Sequence, residues 1–347
     1  DGRGVVKAVM LTGSVLLGLP VVAFVASFMF RPGLLIRAYN WFWRWRLGLS
    51  VKYSTVGSFR FCYLSRGTPG GAPSLLLLHG FSANKDMWLP VVKFLPQQYH
   101  VVCLDLPGHE GTSRPQDEDY SIHGQVSRIH QFVHSIGLSH FHLVGASMGG
   151  NLAGVYAARF PEDLCSVSLV CPAGLDAPVD TDFLKRLRDI YAQKKQDQDQ
   201  DQDQVQDIGL LPQTLPQLQE MIDMCSYKPL NLPKQMLKGL LQDRLPHNNF
   251  YIHLFKRLCA EDSRFCLHEN LSKISVPVQV VWGQHDQVFH VSGSSLIAAT
   301  LPHSQVVLLE ECGHSVALER PHELASVLCS FLVTNGHAPQ QQKKKKN

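Results

Sequence analysis

A serine in a glycine-flanked pentapeptide is the residue of this chain best suited to nucleophilic chemistry. Ser147 lies at the centre of Gly145-Ala-Ser-Met-Gly149, after an apolar run and before a segment with apolar residues at helical spacing. Between a strand and a helix, a Gly-x-Ser-x-Gly sequence forms a sharp turn that exposes the serine hydroxyl. Gly145 and Gly149 suit this turn because strand and helix pass too close there for a side chain. The pattern predicts Ser147 as a catalytic nucleophile.

Two partners for this serine occur further along the chain. A serine hydroxyl needs a base that takes its proton and an acid that orients the base. Asp286 and His314 each follow a run of strand-forming residues. The order Ser, Asp, His is the one expected when the serine lies in a strand–turn–helix motif of this kind, called a nucleophile elbow. Glu310 and Glu311 are alternative acids, but they lie on the histidine's own strand end and cannot readily reach behind its ring. We therefore predict a triad of Ser147, Asp286 and His314.

Two backbone N–H groups are expected to bind the negative charge that develops on the substrate oxygen. Donors that are already aimed at this oxyanion stabilise the transition state. One is the N–H of Met148, directly after the nucleophile. The other is the N–H of Phe81, in a loop that follows the apolar run from Ser74 to Leu78. Because the main chain supplies both donors, the side chains remain free to shape the pocket.

The other histidines and the cysteines favour structural roles. His79 and His109 are expected to stabilise their turns, and His285 to be exposed in a loop. Cys312 lies near His314, but it has neither an elbow nor a helix N-terminus to activate it. Nine cysteines without a CxxC pair indicate reduced thiols and a reducing compartment. No His/Cys/Asp cluster has metal-ligand spacing and no glycine-rich loop suits a phosphate, so we expect neither a metal nor a cofactor.

Strand-like and helix-like segments alternate from residue 49 onward. This rhythm is typical of a mainly parallel central sheet with helices on both faces, the α/β class. The rhythm stops at residues 177–271, where a helical pattern predicts a cap inserted between two parts of the core, 49–176 and 272–335. Within the cap, residues 196–204 alternate Gln and Asp, which cannot bury a core and are predicted to form a flexible loop.

The N-terminal segment has the composition of a membrane anchor. Residues 8–30 contain no charged residue, and at about 1.5 Å per residue they are long enough to cross about 30 Å of hydrocarbon. Residues 31–48 interleave aromatic residues with arginines, as an interfacial belt does. More positive charge follows the span than precedes it, which orients the catalytic part toward the cytosol. A cleaved signal peptide is the alternative, although the run is long for one. Residues 336–347 are predicted to be a disordered basic tail.

Five short motifs together resemble those of the serine-triad α/β hydrolases. They are His79-Gly-Phe81, Asp105-Leu-Pro-Gly108, Gly145-Ala-Ser-Met-Gly149, Trp282-Gly-Gln-His-Asp286 and Cys312-Gly-His314. The likeness covers the chain from about Leu49 to the C-terminal helix. It implies the α/β-hydrolase fold, with a mainly parallel sheet covered by helices and an inserted helical cap.

A narrower resemblance, to the membrane-anchored monoacylglycerol lipases of that family, rests on the N-terminal span with its aromatic belt and on longer segments. The segments are His79-Gly-Phe-Ser-Ala-Asn-Lys-Asp-Met-Trp88, Val92-Lys-Phe-Leu-Pro96, Pro107-Gly-His-Glu-Gly-Thr112 and Pro246-His-Asn-Asn-Phe-Tyr251. This resemblance implies hydrolysis of monoacylglycerols, including the endocannabinoid 2-arachidonoylglycerol, and of some lysophospholipids, with a cytosol-facing active site. The Gln/Asp repeat departs from the family pattern, which leaves the acyl-chain preference open.

Several features of the sequence argue against other functions. A net charge of +3 without a basic patch argues against a nucleic-acid partner. Some relatives associated with acyl transfer carry His-x-x-x-x-Asp, but Glu319 stands where that aspartate would be. Carbon–carbon bond hydrolases are usually soluble, and epoxide hydrolases and dehalogenases need aspartate in place of Ser147. A different lipid esterase, an acyltransferase or a non-enzymatic membrane partner stay as alternatives. The sequence leaves open the oligomeric state and the organelle: endoplasmic reticulum, late endosome or lysosome, or plasma membrane.

Overall fold

The computed structural model describes residues 18–70, 74–196 and 208–335, and an eight-stranded sheet forms the centre of this region. The strands are β1 (Ser50–Val56), β2 (Phe59–Arg66), β3 (Ser74–Leu78), β4 (His100–Leu104), β5 (Phe141–Ala146), β6 (Leu164–Val170), β7 (Val278–Gly283) and β8 (Gln305–Leu309). Their spatial order is β1-β2-β4-β3-β5-β6-β7-β8. β2 pairs antiparallel with β1 and with β4, and the other neighbouring pairs are parallel. The mainly parallel sheet is confirmed.

Helices connect the strands and cover the sheet. They are α1 (Gly18–Phe30), α2 (Pro32–Arg46), α3 (Leu89–Val92), α4 (Ile122–Ser135), α5 (Met148–Arg159), α6 (Asp182–Gln196), α7 (Leu215–Cys225), α8 (Lys234–Arg244), α9 (Asn248–Leu258), α10 (Cys266–Asn270), α11 (Ser292–Thr300), α12 (Val316–Glu319) and α13 (Pro321–Asn335). Successive side chains of a strand point to opposite faces. In β5, Phe141 contacts Tyr156 of α5, whereas His142 contacts Phe331 of α13. Helices therefore lie on both faces, as predicted.

The central strands carry the most apolar sequence of the chain. β3, β4 and β5 are buried along their whole length. Parallel strands that are covered on both faces need continuous apolar runs rather than alternation, and the four leucines of β3 meet this need. The carboxyl ends of the parallel strands lie at one edge of the sheet. The loops that follow β3, β5, β7 and β8 therefore all begin at this edge of the sheet.

The chain leaves the sheet between β6 and β7 and forms α6 to α10, in the region where the cap is predicted. We define the cap cluster as a group of buried apolar side chains that joins these helices to the core: Phe183, Ile208, Leu211, Tyr251, Phe255 and Val288. Val288 comes just after β7, so the cluster rests directly on a loop of the core. The exact division into 49–176, 177–271 and 272–335 stays a prediction. Residues 197–204 of the Gln/Asp repeat lie outside the described residues.

The N-terminal helices differ in part from the predicted single span. Among the described residues, no helix is by itself both long and apolar enough to cross a membrane. α1 and α2 together meet the length and composition requirements, but a bend of 119° separates them. Residues 8–17 of the predicted span and residues 336–347 of the predicted tail lie outside the described residues.

Helix α2 packs closely against the cap helix α8. A Cβ added to Gly239 of α8 would lie 2.9 Å from the backbone nitrogen of Gly33, so the two backbones are in contact. One turn further on, Arg37 Nη2 lies 2.6 Å from Asp243 Oδ1. At its C-terminal end, α2 is also attached to the core. Arg44 donates to both carboxylate oxygens of Asp86, its Nε at 2.7 Å. The helix is therefore joined to the cap and to the sheet region at once.

Candidate active site

Ser147 occupies a strained turn between β5 and α5. Its backbone angles are φ 57° and ψ −118°, in the left-handed half of the map that is costly for a residue with a Cβ. A Cβ on Gly145 would lie 2.0 Å from the carbonyl oxygen of Gly149, and one on Gly149 would lie 2.5 Å from that of Leu78. Only glycine fits these two positions. The local geometry is that of an elbow, while the role of Ser147 in catalysis stays a prediction.

The elbow is fixed by hydrogen bonds of the Ser147 main chain. Its N–H donates to the carbonyl of Val170 at 2.9 Å, and its own carbonyl accepts from Gly150 at 2.9 Å and from Ala173 at 3.0 Å. The N–H of Ser147 is therefore already used. Met148, whose N–H is the first predicted oxyanion donor, begins α5. The first N–H groups of a helix have no partner within it and lie at its positive end.

The loop after β3 passes over the serine side chain. A Cβ on Gly80 would lie 3.8 Å from Ser147 Oγ. The next residue is Phe81, whose N–H is the second predicted oxyanion donor. Its ring packs against Tyr251 and Phe255 of α9, with centroid distances of 5.9 and 5.4 Å. The cap therefore holds this loop against the elbow through apolar contacts.

Two buried histidines brace the same loop. The N–H of Leu106 donates to His79 Nε2 at 3.0 Å, so that Nδ1 of the neutral ring carries the proton and donates to the carbonyl of Gly80 at 2.7 Å. His109 Nε2 accepts from the N–H of Ser82 at 3.3 Å. Burial lowers the pKa of His79 to about 3 and that of His109 well below its usual value. Both rings are uncharged at neutral pH, in the turn positions that the sequence indicates.

Asp286 and His314 meet at the end of the sheet. His314 Nδ1 lies 2.7 Å from Asp286 Oδ2, and the Asp286 side chain is 0% exposed. The other carboxylate oxygen of Asp286 accepts from the N–H groups of Val288 and Phe289, at 2.8 and 2.9 Å. A carboxylate held in this way fixes the ring so that Nδ1 donates and Nε2 can accept a proton. The pair has the geometry of a general base and its orienting acid.

The alternative acids face solvent. The side chain of Glu311 is 58% exposed and lies 3.5 Å from Arg320 and 3.9 Å from Lys228. Glu310 is exposed as well. In the described part of the chain, the carboxylate bonded to the His314 ring is that of Asp286.

Glu319 fixes the loop that carries His314, a role that sequence analysis missed. Its two carboxylate oxygens accept from the N–H of Gly313 at 2.8 Å and from the N–H of Tyr227, after α7, at 2.7 Å. A second hydrogen bond joins the same loop to the cap: the N–H of Ser315 donates to the carbonyl of Cys225 at 2.9 Å. One carboxylate thus joins the histidine loop to the cap.

We expect Glu319→Gln to lower the free energy of unfolding by about 1 to 2 kcal/mol and to reduce kcat several-fold, because a neutral amide offers one weaker acceptor to two N–H donors. Equilibrium urea unfolding and steady-state hydrolysis measure the two effects. Glu323→Gln, on the exposed start of α13, is the matched control and should change neither. Equal behaviour of the two variants would contradict the role assigned to Glu319.

Cys171 is a second contact of the site that the sequence does not reveal. Its Sγ, a carboxylate oxygen of Asp286 and a ring nitrogen of His314 all lie within 4.8 Å of one another. Burial, followed by the charge of Asp286, raises the pKa of the Cys171 thiol, so that it stays protonated and donates to the carboxylate. Cys312, by contrast, is buried with its pKa raised to about 12, and a protonated thiol is a poor nucleophile.

A different serine–histidine pair lies inside the core. His142 Nδ1 is 2.6 Å from Ser166 Oγ and its Nε2 is 2.9 Å from Ser168 Oγ, across β5 and β6. All three side chains are completely buried, beneath α13 on the face of the sheet. Burial lowers the pKa of His142 to about 3. We therefore interpret the pair as a satisfied polar contact between strands rather than as a nucleophile and base.

The geometry of the chain can be compared with known proteins. A family model described as the alpha/beta hydrolase fold matches residues 73–321. The chain is 50% identical over 332 residues to monoacylglycerol lipase ABHD6 of Bos taurus, a match that covers 95% of this chain and 96% of the relative. It is 49% identical to monoacylglycerol lipase ABHD6 of Homo sapiens, with the same coverage of both chains.

A solved structure shows the same architecture. The crystal structure of a membrane phospholipase A, a bacterial virulence factor, superposes with a TM-score of 0.79 at 32% sequence identity. The match covers 95% of this chain and 99% of that chain.

Proposed function

Because this chain belongs to the α/β-hydrolase family and is an ester-hydrolysing enzyme, we propose that it cleaves the acyl ester of monoacylglycerols, including 2-arachidonoylglycerol, and of lysophospholipids. The observation that carries the proposal is the contact of 2.7 Å between His314 Nδ1 and Asp286 Oδ2, at the sheet edge where the Ser147 elbow stands. The relatives named monoacylglycerol lipase support the substrate class.

The proposed reaction has two steps, acylation of Ser147 and hydrolysis of the acyl-enzyme, and each passes through a tetrahedral intermediate. His314 Nε2 takes the proton of Ser147 Oγ, which attacks the ester carbonyl. The N–H groups of Met148 and Phe81 donate to the oxyanion, and a single donor of this kind contributes about 10²- to 10³-fold to kcat. Collapse breaks the ester bond, and His314 protonates the departing glycerol oxygen. Water activated by His314 then releases the fatty acid from Ser147.

The apolar surroundings of the site favour a lipid acyl chain. Phe81, of the oxyanion loop, and Phe289, next to the loop of Asp286, both pack against the cap cluster. Each methylene group that leaves water for such a surface contributes about 0.8 kcal/mol. Long acyl chains are therefore bound mainly by the cap, while the polar groups at the elbow select the ester.

We also propose that α1 and α2 attach the enzyme to a bilayer, with the catalytic part on the cytosolic side. The large apolar side chains of α1 between Leu19 and Phe30 are exposed. Trp41 and Trp45 of α2 are 65% and 66% exposed, and arginines lie between the aromatic residues. Amphipathic aromatic rings and arginines are enriched where a membrane meets water. The cap helix that touches α2 then lies next to the lipid that supplies the substrate.

Lipid analysis of membranes tests the substrate class. Membranes that contain the wild-type chain or Ser147→Ala are incubated with mixed monoacylglycerols, lysophospholipids and diacylglycerols, and the products are measured by mass spectrometry. We expect monoacylglycerols to be converted to fatty acid and glycerol by the wild type alone. Consumption of diacylglycerols in place of monoacylglycerols would refute the substrate assignment while leaving the serine mechanism intact.

A further inference from the structure

Three metal-ligating side chains converge on the surface beside α4, away from the triad residues. His130 and His134 lie one helical turn apart on α4, and Asp163 ends the short turn that leads into β6. The two Nε2 atoms are 2.9 Å apart. His130 Nε2 lies 3.4 Å from one carboxylate oxygen of Asp163, and His134 Nε2 lies 3.8 Å from the other. One ligand atom from each of the three residues forms a triangle with no side longer than 4.8 Å.

The dimensions of this triangle suit a small tetrahedral cation. Zinc binds nitrogen and oxygen ligands at about 2.0–2.2 Å, which places neighbouring ligand atoms of a tetrahedron about 3.3 Å apart. The two ring nitrogens are 2.9 Å apart, and their distances to the two Asp163 oxygens are 3.4 and 3.8 Å, so the observed separations lie on either side of this value. His134 is 58% exposed, so solvent reaches the triangle and water can complete the coordination.

The surroundings hold two of the three ligands in place. The ring of Phe160 stacks on His130 with a centroid distance of 3.7 Å and an angle of 13° between the planes. The hydroxyl of Tyr156 donates to Asp163 Oδ2 at 2.6 Å. Outer contacts of this kind orient ligands and raise metal affinity.

The two histidine rings face each other through their Nε2 atoms. A single proton can bridge the two ring nitrogens, so only one of the two rings donates in that contact. A divalent cation instead uses both nitrogens and the carboxylate together. We propose that His130, His134 and Asp163 bind a zinc-class divalent cation that fastens the C-terminal half of α4 to the turn before β6. Sequence analysis found no such cluster because Asp163 joins the histidine pair only in three dimensions.

Metal titration of the purified full-length chain in detergent tests this proposal without reference to activity. The protein is stripped with a chelator, and zinc or cobalt is added in the presence of a non-coordinating reductant. We expect one cobalt ion per chain, with the visible absorption of a tetrahedral centre, and a rise in the thermal midpoint with zinc.

Two variants separate the proposed site from adventitious binding. His134→Ala, at an exposed position, should weaken zinc binding by more than the 10- to 100-fold that loss of an outer contact costs. His303→Ala, an exposed histidine before β8, is the control and should bind as the wild type does. Labelling of both variants by a fluorophosphonate probe reports that they are folded. Equal zinc affinity of His134→Ala and the wild type, or no saturable binding by the wild type, would overturn the proposal.

Discussion

Ser147→Ala is expected to lower kcat for ester hydrolysis by about 10⁵- to 10⁶-fold, the scale at which loss of the nucleophile removes a serine triad's chemistry. In the proposed mechanism the oxygen of this hydroxyl forms the acyl-enzyme, and alanine tolerates the same backbone conformation no worse than serine does. Steady-state hydrolysis of a monoacylglycerol measures the loss. Labelling by a fluorophosphonate probe, which reports the activated hydroxyl itself, should disappear as well.

The buried pair of Ser166 and His142 provides the matched control for this variant. Ser166→Ala removes a hydroxyl that lies 2.6 Å from an imidazole nitrogen, the distance expected for a catalytic serine and its base. This pair, however, is buried between the sheet and α13. The variant should leave probe labelling intact and lower only the free energy of unfolding, by about 1 kcal/mol for a lost hydrogen bond. Loss of labelling in Ser166→Ala, with retention in Ser147→Ala, would reverse the assignment.

Asp286→Asn is expected to lower kcat by about 10⁴-fold without unfolding the protein. The asparagine carbonyl can still accept from the N–H groups of Val288 and Phe289. Its NH₂ group would then face His314 Nδ1 and force that nitrogen to accept. The proton would move to Nε2, the nitrogen that must take the proton of Ser147. Steady-state kinetics and the rate of probe labelling should fall together, while thermal denaturation stays close to that of the wild type.

Glu311→Gln is the control for Asp286→Asn, because it removes one of the alternative acids. The side chain is 58% exposed and pairs with surface cations, so its loss should change kcat by less than about two-fold, since exposed ion pairs contribute little. The sequence leaves Glu310 and Glu311 as alternative acids. A large loss in either glutamate variant, with normal turnover by Asp286→Asn, would show that the acid is misassigned.

Local patterns account for the parts of the fold that the sequence predicts well. Strand β3 is a run of leucines, and the elbow needs glycine at two fixed positions. Each of these signals lies within a few neighbouring residues. The contact between Asp286 and His314 can also be predicted from the sequence, because the carboxyl ends of parallel strands lie at the same edge of a sheet.

Contacts between distant segments account for what sequence analysis missed. Glu319 binds the backbone of Tyr227, 92 residues away, and nothing near it in the chain marks that partner. Cys171 has the features of an ordinary buried thiol until Asp286 is placed beside it. The anchor shows the same difficulty, because hydropathy gives the length of an apolar run but not the bend of 119° that follows it.

The contact of Gly33 with Gly239 has a mechanical meaning. Two helices whose main chains touch, with no side chain between them to yield, move as one body. The Arg37–Asp243 pair, at 2.6 Å, is a second contact between the two helices. A displacement of α2 is therefore expected to move α8 directly, without first deforming the sheet.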